Sequence, residues 1–166
     1  MPKNFKSATS QRIYTTAINP YHRPGTPTIK LSGVPDFIAR CLVGQSKFET
    51  NNYTNSFVAE EKCYFSYMYS PQSIWQIPGG GKVADNHAKI AKYNSLEDSV
   101  HEMQDWIKRR QANGQFPHDL NEIKTVLQYA TLLQKTGFFQ GWKKYTSQQN
   151  LNFYSMGIQR GIDNLK

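Results

Sequence analysis

Acidic residues are scarce in this chain: 12 Asp and Glu stand against 20 Lys and Arg, a formal net charge of +8 over 166 residues. The positive charge is spread along the sequence rather than gathered in one block, a balance that favours an anionic partner: nucleic acid, a membrane surface or a bacterial cell wall. Long apolar runs are also missing. No stretch reaches the roughly 18 residues of a membrane-spanning helix, and the N-terminus MPKNFKSATSQR has no apolar core of signal-peptide length. Cysteine is limited to Cys41 and Cys63, too few for a disulfide framework. Cys41 reads as a small core residue, and a bridge between the two stays open. The four histidines (His22, His87, His101 and His118) share no ligand spacing with cysteines or acids, so no metal is expected. No cofactor is implied. PGGGKV, residues 78–83, lacks the Gly-x4-Gly-Lys-Ser/Thr spacing of a phosphate loop and reads as a turn. A Cys/His amidase is disfavoured because Cys41 lies mid-helix and Cys63 has no motif around it.

What the chain does have is aromatic surface. Ten Tyr, nine Phe and three Trp make 13% of the residues, while the apolar fraction is only 38%. The length suits one domain with a real core. Residues 1–33 hold Pro2, Pro20, Pro24 and Pro27 with several basic residues, and read as an extended basic N-terminal arm preceding a domain over 34–166. In VPDFIARCLVGQSKFE, residues 34–49, Ile38, Cys41, Leu42, Gln45 and Phe48 recur at steps of three and four, which predicts a helix with one inward stripe. The region 50–93 is rich in Asn, Tyr and Ser; CYFSYMY and IWQIPGGGKV within it suggest a small hairpin or irregular lobe. Three helices then follow. One opens at Ser95 with Asp98 in capping-box spacing, one runs from Asp119 to Gly137, and one carries Leu151, Tyr154, Ile158 and Ile162. The expected class is therefore mainly α with a small β lobe (α+β).

Glu49 is the residue that needs explaining. It lies four positions beyond Gln45, on the inward stripe and at a helix C-terminus. There the helix dipole and partial burial beside Phe48 and Phe57 both favour the protonated acid. A carboxyl protonated near neutral pH can give its proton to a glycosidic oxygen. Gln45 could bond that carboxyl or touch substrate, and the loop to Asn55, with Asn51, Asn52 and Tyr53, offers amides and a ring. A helix that simply ends on an exposed glutamate fits the same pattern.

The segments LVGQSKFETNNYTN, CYFSYMY, AKYNSLEDSVHEMQDWIKRR, VLQYATLLQKTGFF and NFYSMGIQRGI resemble, in order, those of the glucosaminidase family of peptidoglycan hydrolases, lysozyme-like enzymes of autolysins and phage lysins. The resemblance covers about residues 35–162. It implies a lysozyme-like fold with a β hairpin lobe and a catalytic role for Glu49. Phe65 matches the Phe of the family's Asn-x-Phe-Gly segment, and Tyr93, Ser95, Glu97, Asp98 and Ser99 match its Tyr-x-Ser-x-Glu-(Asp/Ser)-Ser segment. Two positions depart: Ser66 stands where the family has Gly, and Gly137-Phe138 where it has Gly-Tyr. Enzymes of this type have a less fixed second acid, for which Asp85 is the candidate. Phe65, Tyr67, Tyr129 and Phe138 complete the expected substrate-binding set.

The expected activity is cleavage of a β-1,4 bond of peptidoglycan, by hydrolysis or transglycosylation. The expected setting is a phage lysis product acting from the host cytoplasm on the wall, or a virion-associated enzyme attached to virion proteins through residues 1–33. A non-catalytic glycan-binding virion protein and a basic nucleic-acid-binding domain remain as alternatives, although no specific nucleic-acid module is present.

Overall fold

The computed structural model describes residues 5–84 and 87–165. The elements in order are α1 (Ala8–Ile18), β1 (Tyr21–Arg23), β2 (Thr26–Leu31), α2 (Asp36–Glu49), a π-helical turn (Phe57–Glu61), α3 (Leu96–Ala112), a 3-10 turn (Leu120–Glu122), α4 (Val126–Lys135) and α5 (Ser147–Asp163). The chain is mainly helical with one small antiparallel hairpin, as its patterning implies.

The N-terminal segment is not an extended arm. Ser7 caps α1 by accepting from the Ser10 amide, and Ser10, Ile13, Tyr14 and Ala17 recur at helical spacing and are buried. Ile13, Tyr14 and Ala17 belong to the main core together with Ile38, Leu42, Met103 and Ile107. The Ala17 carbonyl accepts from the Val34 amide at 2.8 Å and from Gln104 Nε2 at 2.8 Å, tying α1 to the start of α2 and to α3. The prolines misled because they flank this helix rather than interrupt it. Pro24 and Gly25 form the hairpin turn, where Pro fixes its own φ and Gly25 takes φ +79°.

The hairpin lies at 21–31, and of the two expectations for 50–93 the irregular lobe is the one found. Residues 62–84 and 87–93 form this lobe, with isolated bridges from Met68 to Ile90, Gln76 to Tyr93 and Val83 to Lys89. The lobe has its own small core of Cys63, Trp75, Ile90, Ala91 and Tyr93, joined by Tyr21 from β1. Beneath it run two acids of α3. Glu102 accepts from Ser73 Oγ, Gln76 Nε2 and Tyr93 Oη, and Asp105 from Tyr21 Oη, Arg23 Nε and Trp75 Nε1. Both cysteines are buried and free.

The helix expected from Asp119 to Gly137 is divided. Asp119 caps only the 3-10 turn, accepting from the Asn121 amide at 2.9 Å. Thr125 and Gln128 then form a complete capping box that starts α4 afresh. Gly137 ends it as expected: with φ +77°, its amide reaches Gln134 O and the Phe138 amide reaches Leu133 O, a Schellman motif.

Candidate active site

α2 crosses α5 along a seam of glycines. A Cβ on Gly161 would stand 2.7 Å from Gly44 Cα, one on Gly44 would overlap the Ile158 carbonyl, and one on Gly157 would overlap the Phe48 ring. Only residues without side chains allow so close an approach. The approach sets Tyr154 of α5 against the last turn of α2, where its hydroxyl donates a short hydrogen bond to Glu49 Oε1. The Tyr154 ring is held on both faces of its environment: Phe139 stacks on it at 3.8 Å between centroids, and Phe48 meets it edge-on at 5.1 Å.

α2 ends in a second Schellman motif. The Asn52 amide bonds Lys47 O at 2.7 Å, and the Asn51 amide points at Phe48 O at 3.5 Å. Asn51, Asn52 and Tyr53 all have positive φ, of 48°, 57° and 65°. Asparagine accepts this region readily; tyrosine does so at a cost of about 1 kcal/mol or more. The Tyr53 hydroxyl meets Ser10 Oγ at 3.0 Å and Ser46 Oγ at 3.3 Å, which holds the reversed loop against α1 and α2.

Glu49 therefore sits partly buried at the junction of helical body and lobe. Its backbone carbonyl accepts from Ser66 Oγ at 3.3 Å and from Asn55 Nδ2 at 3.4 Å. Burial raises the Glu49 carboxyl to about 7, against the opposing pull of the Tyr154 and Ser66 hydroxyls. Tyr154 is itself pushed well above the usual phenol range by burial and by the neighbouring Glu49 charge, so it remains a donor. Behind it, Tyr129 donates to Gln45 Oε1 at 2.7 Å. Gln45 Nε2 makes no hydrogen bond of good geometry among the described residues, but lies where it favours the Tyr154 anion.

The structure divides the expected site residues. Glu49 has the environment anticipated for it. Gln45 and Tyr129 are fully buried and Phe65 is 1% exposed, so the three pack inside the fold rather than on an open surface. Tyr53 is engaged by serines. Tyr67 donates to Met103 Sδ at 3.4 Å and packs edge-on against Phe138, whose ring also meets Trp106. Asn51 and Asn52 are exposed at the helix end. Asp85 lies outside the described residues. Tyr154 was missed as a site residue because the stripe that carries it, Leu151, Tyr154, Ile158 and Ile162, reads simply as the buried face of α5.

The two departures from the family pattern gain physical content here. Ser66 has φ +52°, the region that favours glycine, and it uses that conformation to reach the Glu49 carbonyl. Phe138 follows the Gly137 turn into the core, and the ring beside the acid's partner is Phe139.

A separate groove of about 1240 Å³ runs along α5 beside the same helix end, touching Phe48, Asn51 and Asn52 but not Glu49.

The helical body and the lobe together enclose the partly buried Glu49 carboxyl. A chain of a type VI secretion system effector–immunity complex from Pseudomonas protegens has the same fold, with a TM-score of 0.51 over 94% of this chain and 87% of that one, at 17% sequence identity. No protein-family model and no curated protein matches the sequence.

Proposed function

We propose that the protein is a lysozyme-like enzyme that cleaves β-1,4 bonds in the glycan strands of peptidoglycan, with Glu49 as general acid. The observation that carries this reading is the Glu49 carboxyl. It is partly buried, accepts from the Tyr154 hydroxyl, is pushed up to about 7 by burial and is anchored through its backbone to the lobe. In the proposed reaction the protonated carboxyl gives its proton to the glycosidic oxygen as the C1–O bond breaks. The resulting carboxylate then takes a proton from the attacking group, either water or the 6-hydroxyl of the same sugar. Tyr154 would position the carboxyl and stabilise its anion in that second half. Glu102 and Asp105 each already accept from three side chains, which suits a structural role.

Phage lysis or virion attachment was the expected setting. The folding of α1 into the core removes the basis for attachment through a free arm. The fold shared with a type VI effector–immunity complex supports a different proposal: a wall-targeting effector that pairs with an immunity protein.

Digestion of purified peptidoglycan by the wild type and by Glu49→Gln, with products read by mass spectrometry, tests the reading. Fragments from the wild type alone support it, and their termini, reducing or anhydro, identify the attacking group. Equal fragment release by the two proteins, or intact wall with both across pH 5 to 8, overturns it.

A further inference from the structure

The groove along α5 has a charge pattern unlike the rest of the molecule. Lys6, Lys47, Lys144 and Arg160 line it, and no acidic residue does. The ion pairs among the described residues, Arg12–Glu97, Arg23–Asp105, Arg40–Asp36, Lys82–Glu60 and Lys92–Glu61, all lie elsewhere. Among the described residues, four cations thus share one concave surface with no carboxylate paired to them. Lys47 is half-buried, and burial pulls its pKa down, so an anion arriving in the groove would favour its charged form.

The same groove carries exposed rings. Trp142 is 56% and Phe153 42% exposed, and their centroids lie 6.3 Å apart at 75°. Large exposed apolar side chains gathered in a concavity mark a binding surface. A flat ring set beside an ammonium group suits a ligand that has both an apolar face and anionic substituents.

We propose that this groove is a binding site for the anionic peptide stems of peptidoglycan, with the adjoining sugar faces resting on Trp142 and Phe153. The inference rests on the cell-wall reading and adds to it the part of the substrate that is recognised. Stem peptides carry several free carboxylates at regular intervals along the glycan, whereas their removal by an amidase leaves only the lactyl carboxylate on each muramic acid, close against the sugar. The groove meets the Glu49 helix at Phe48, whose ring packs on Tyr154. A strand seated there through its stems is therefore one aromatic ring away from the donor that holds the acid. Single-stranded nucleic acid shares the cation-and-ring chemistry, and the test separates it.

Binding is measured in a Glu49→Gln background, so that the ligand is not consumed. The probes are intact sacculi, glycan strands stripped of stems by an amidase, and a single-stranded DNA oligonucleotide, in about 0.15 M salt, where long-range attraction is screened. Lys144→Glu with Arg160→Glu, and Trp142→Ala, alter exposed residues, and thermal melts confirm that each variant is folded. At least tenfold weaker binding to sacculi in both variants is expected, with stripped glycan, which keeps only its lactyl carboxylates, bound more weakly than sacculi and losing less to the charge reversals. Parent-like binding of the charge-reversed variant, equal affinity of the parent for stripped glycan, or tighter binding to DNA than to sacculi overturns the proposal. With Glu49 intact, the charge-reversed variant should still cut soluble stripped glycan if the parent does. Loss of sacculus binding with cutting retained would thus support the groove, and binding without any cutting would overturn only the glycosidase reading.

Discussion

Glu49 and Asp105 are two acids withdrawn from water in opposite ways. For both, burial pushes the pKa up. Around Asp105 that push is overcome by hydrogen bonds from Arg23, Tyr21 and Trp75, which hold the carboxyl below its usual range. Around Glu49 the opposing hydroxyls are too weak, and the acid remains about half protonated near neutrality. The difference teaches that burial alone does not make a reactive acid. What matters is whether the fold also supplies a cation and a full set of donors; where it does, the acid becomes part of the framework.

The sharpest break of this comparison is chemical. Glu49→Gln should lower glycan cleavage by about 10³-fold, the order expected for loss of a general acid, while Asp105→Asn should leave cleavage per folded molecule unchanged. Release of soluble fragments from peptidoglycan reads both. The converse appears in stability. Asp105→Ala strands three donors, one of them a guanidinium, and should cost about 3 kcal/mol by denaturant unfolding.

The pH response separates the two acids next. Folding raises the Glu49 pKa above its unfolded value, so its contribution to stability is fully present below about pH 4.5 and is lost as pH rises through about 7. Relative to Glu49→Gln, the wild type should lose on the order of 2 kcal/mol between those limits. Asp105 has a depressed pKa, so its contribution is present above the usual aspartate pKa and is lost as pH falls through its lower folded value. Activity should decline as pH rises through about 7, because the acid must be protonated. Tyr154→Phe removes the donor that holds the carboxyl down, and should move that midpoint upward.

The smallest effect is expected at Ser66. Glycine there would relieve the strain of φ +52° but lose the hydroxyl bond to Glu49, two contributions of about 1 kcal/mol that oppose each other. Stability of Ser66→Gly should stay within about 1 kcal/mol of the wild type, read by thermal unfolding.

Much of the framework was legible because periodicity reports burial. The stripe from Ile38 to Phe48, the Ser95 cap and the Gly137 stop all appear where spacing placed them, and Glu49 emerged from the same stripe. Two kinds of information were not local. α1 has only a few apolar positions, Ile13, Tyr14 and Ala17 among Ser, Thr and Gln, and it is stabilised by packing against α2 and α3, which no window around it contains. Tyr154 joins the site only because Gly44, Gly157 and Gly161 let two helices distant in sequence approach. The groove was equally hidden, since Lys6, Lys47, Lys144 and Arg160 read separately as scattered charge. Gln45, Phe65 and Tyr129, expected to touch a ligand, are buried for a related reason: a position on an inward stripe says that a side chain is covered, not that something else will touch it.

The glycine seam also makes the molecule tunable by steric means alone. A methyl at Gly157 would displace the Phe48 ring, and with it the phenol that steadies the acid, without changing a single polar group. Saturation mutagenesis scored by wall lysis should therefore rank this glycine among the intolerant positions, as though it were a reactant. Screened instead for retained fold, its alanine variant is a route to a quiet version of the protein, suited to tracing where it settles on a wall rather than what it removes.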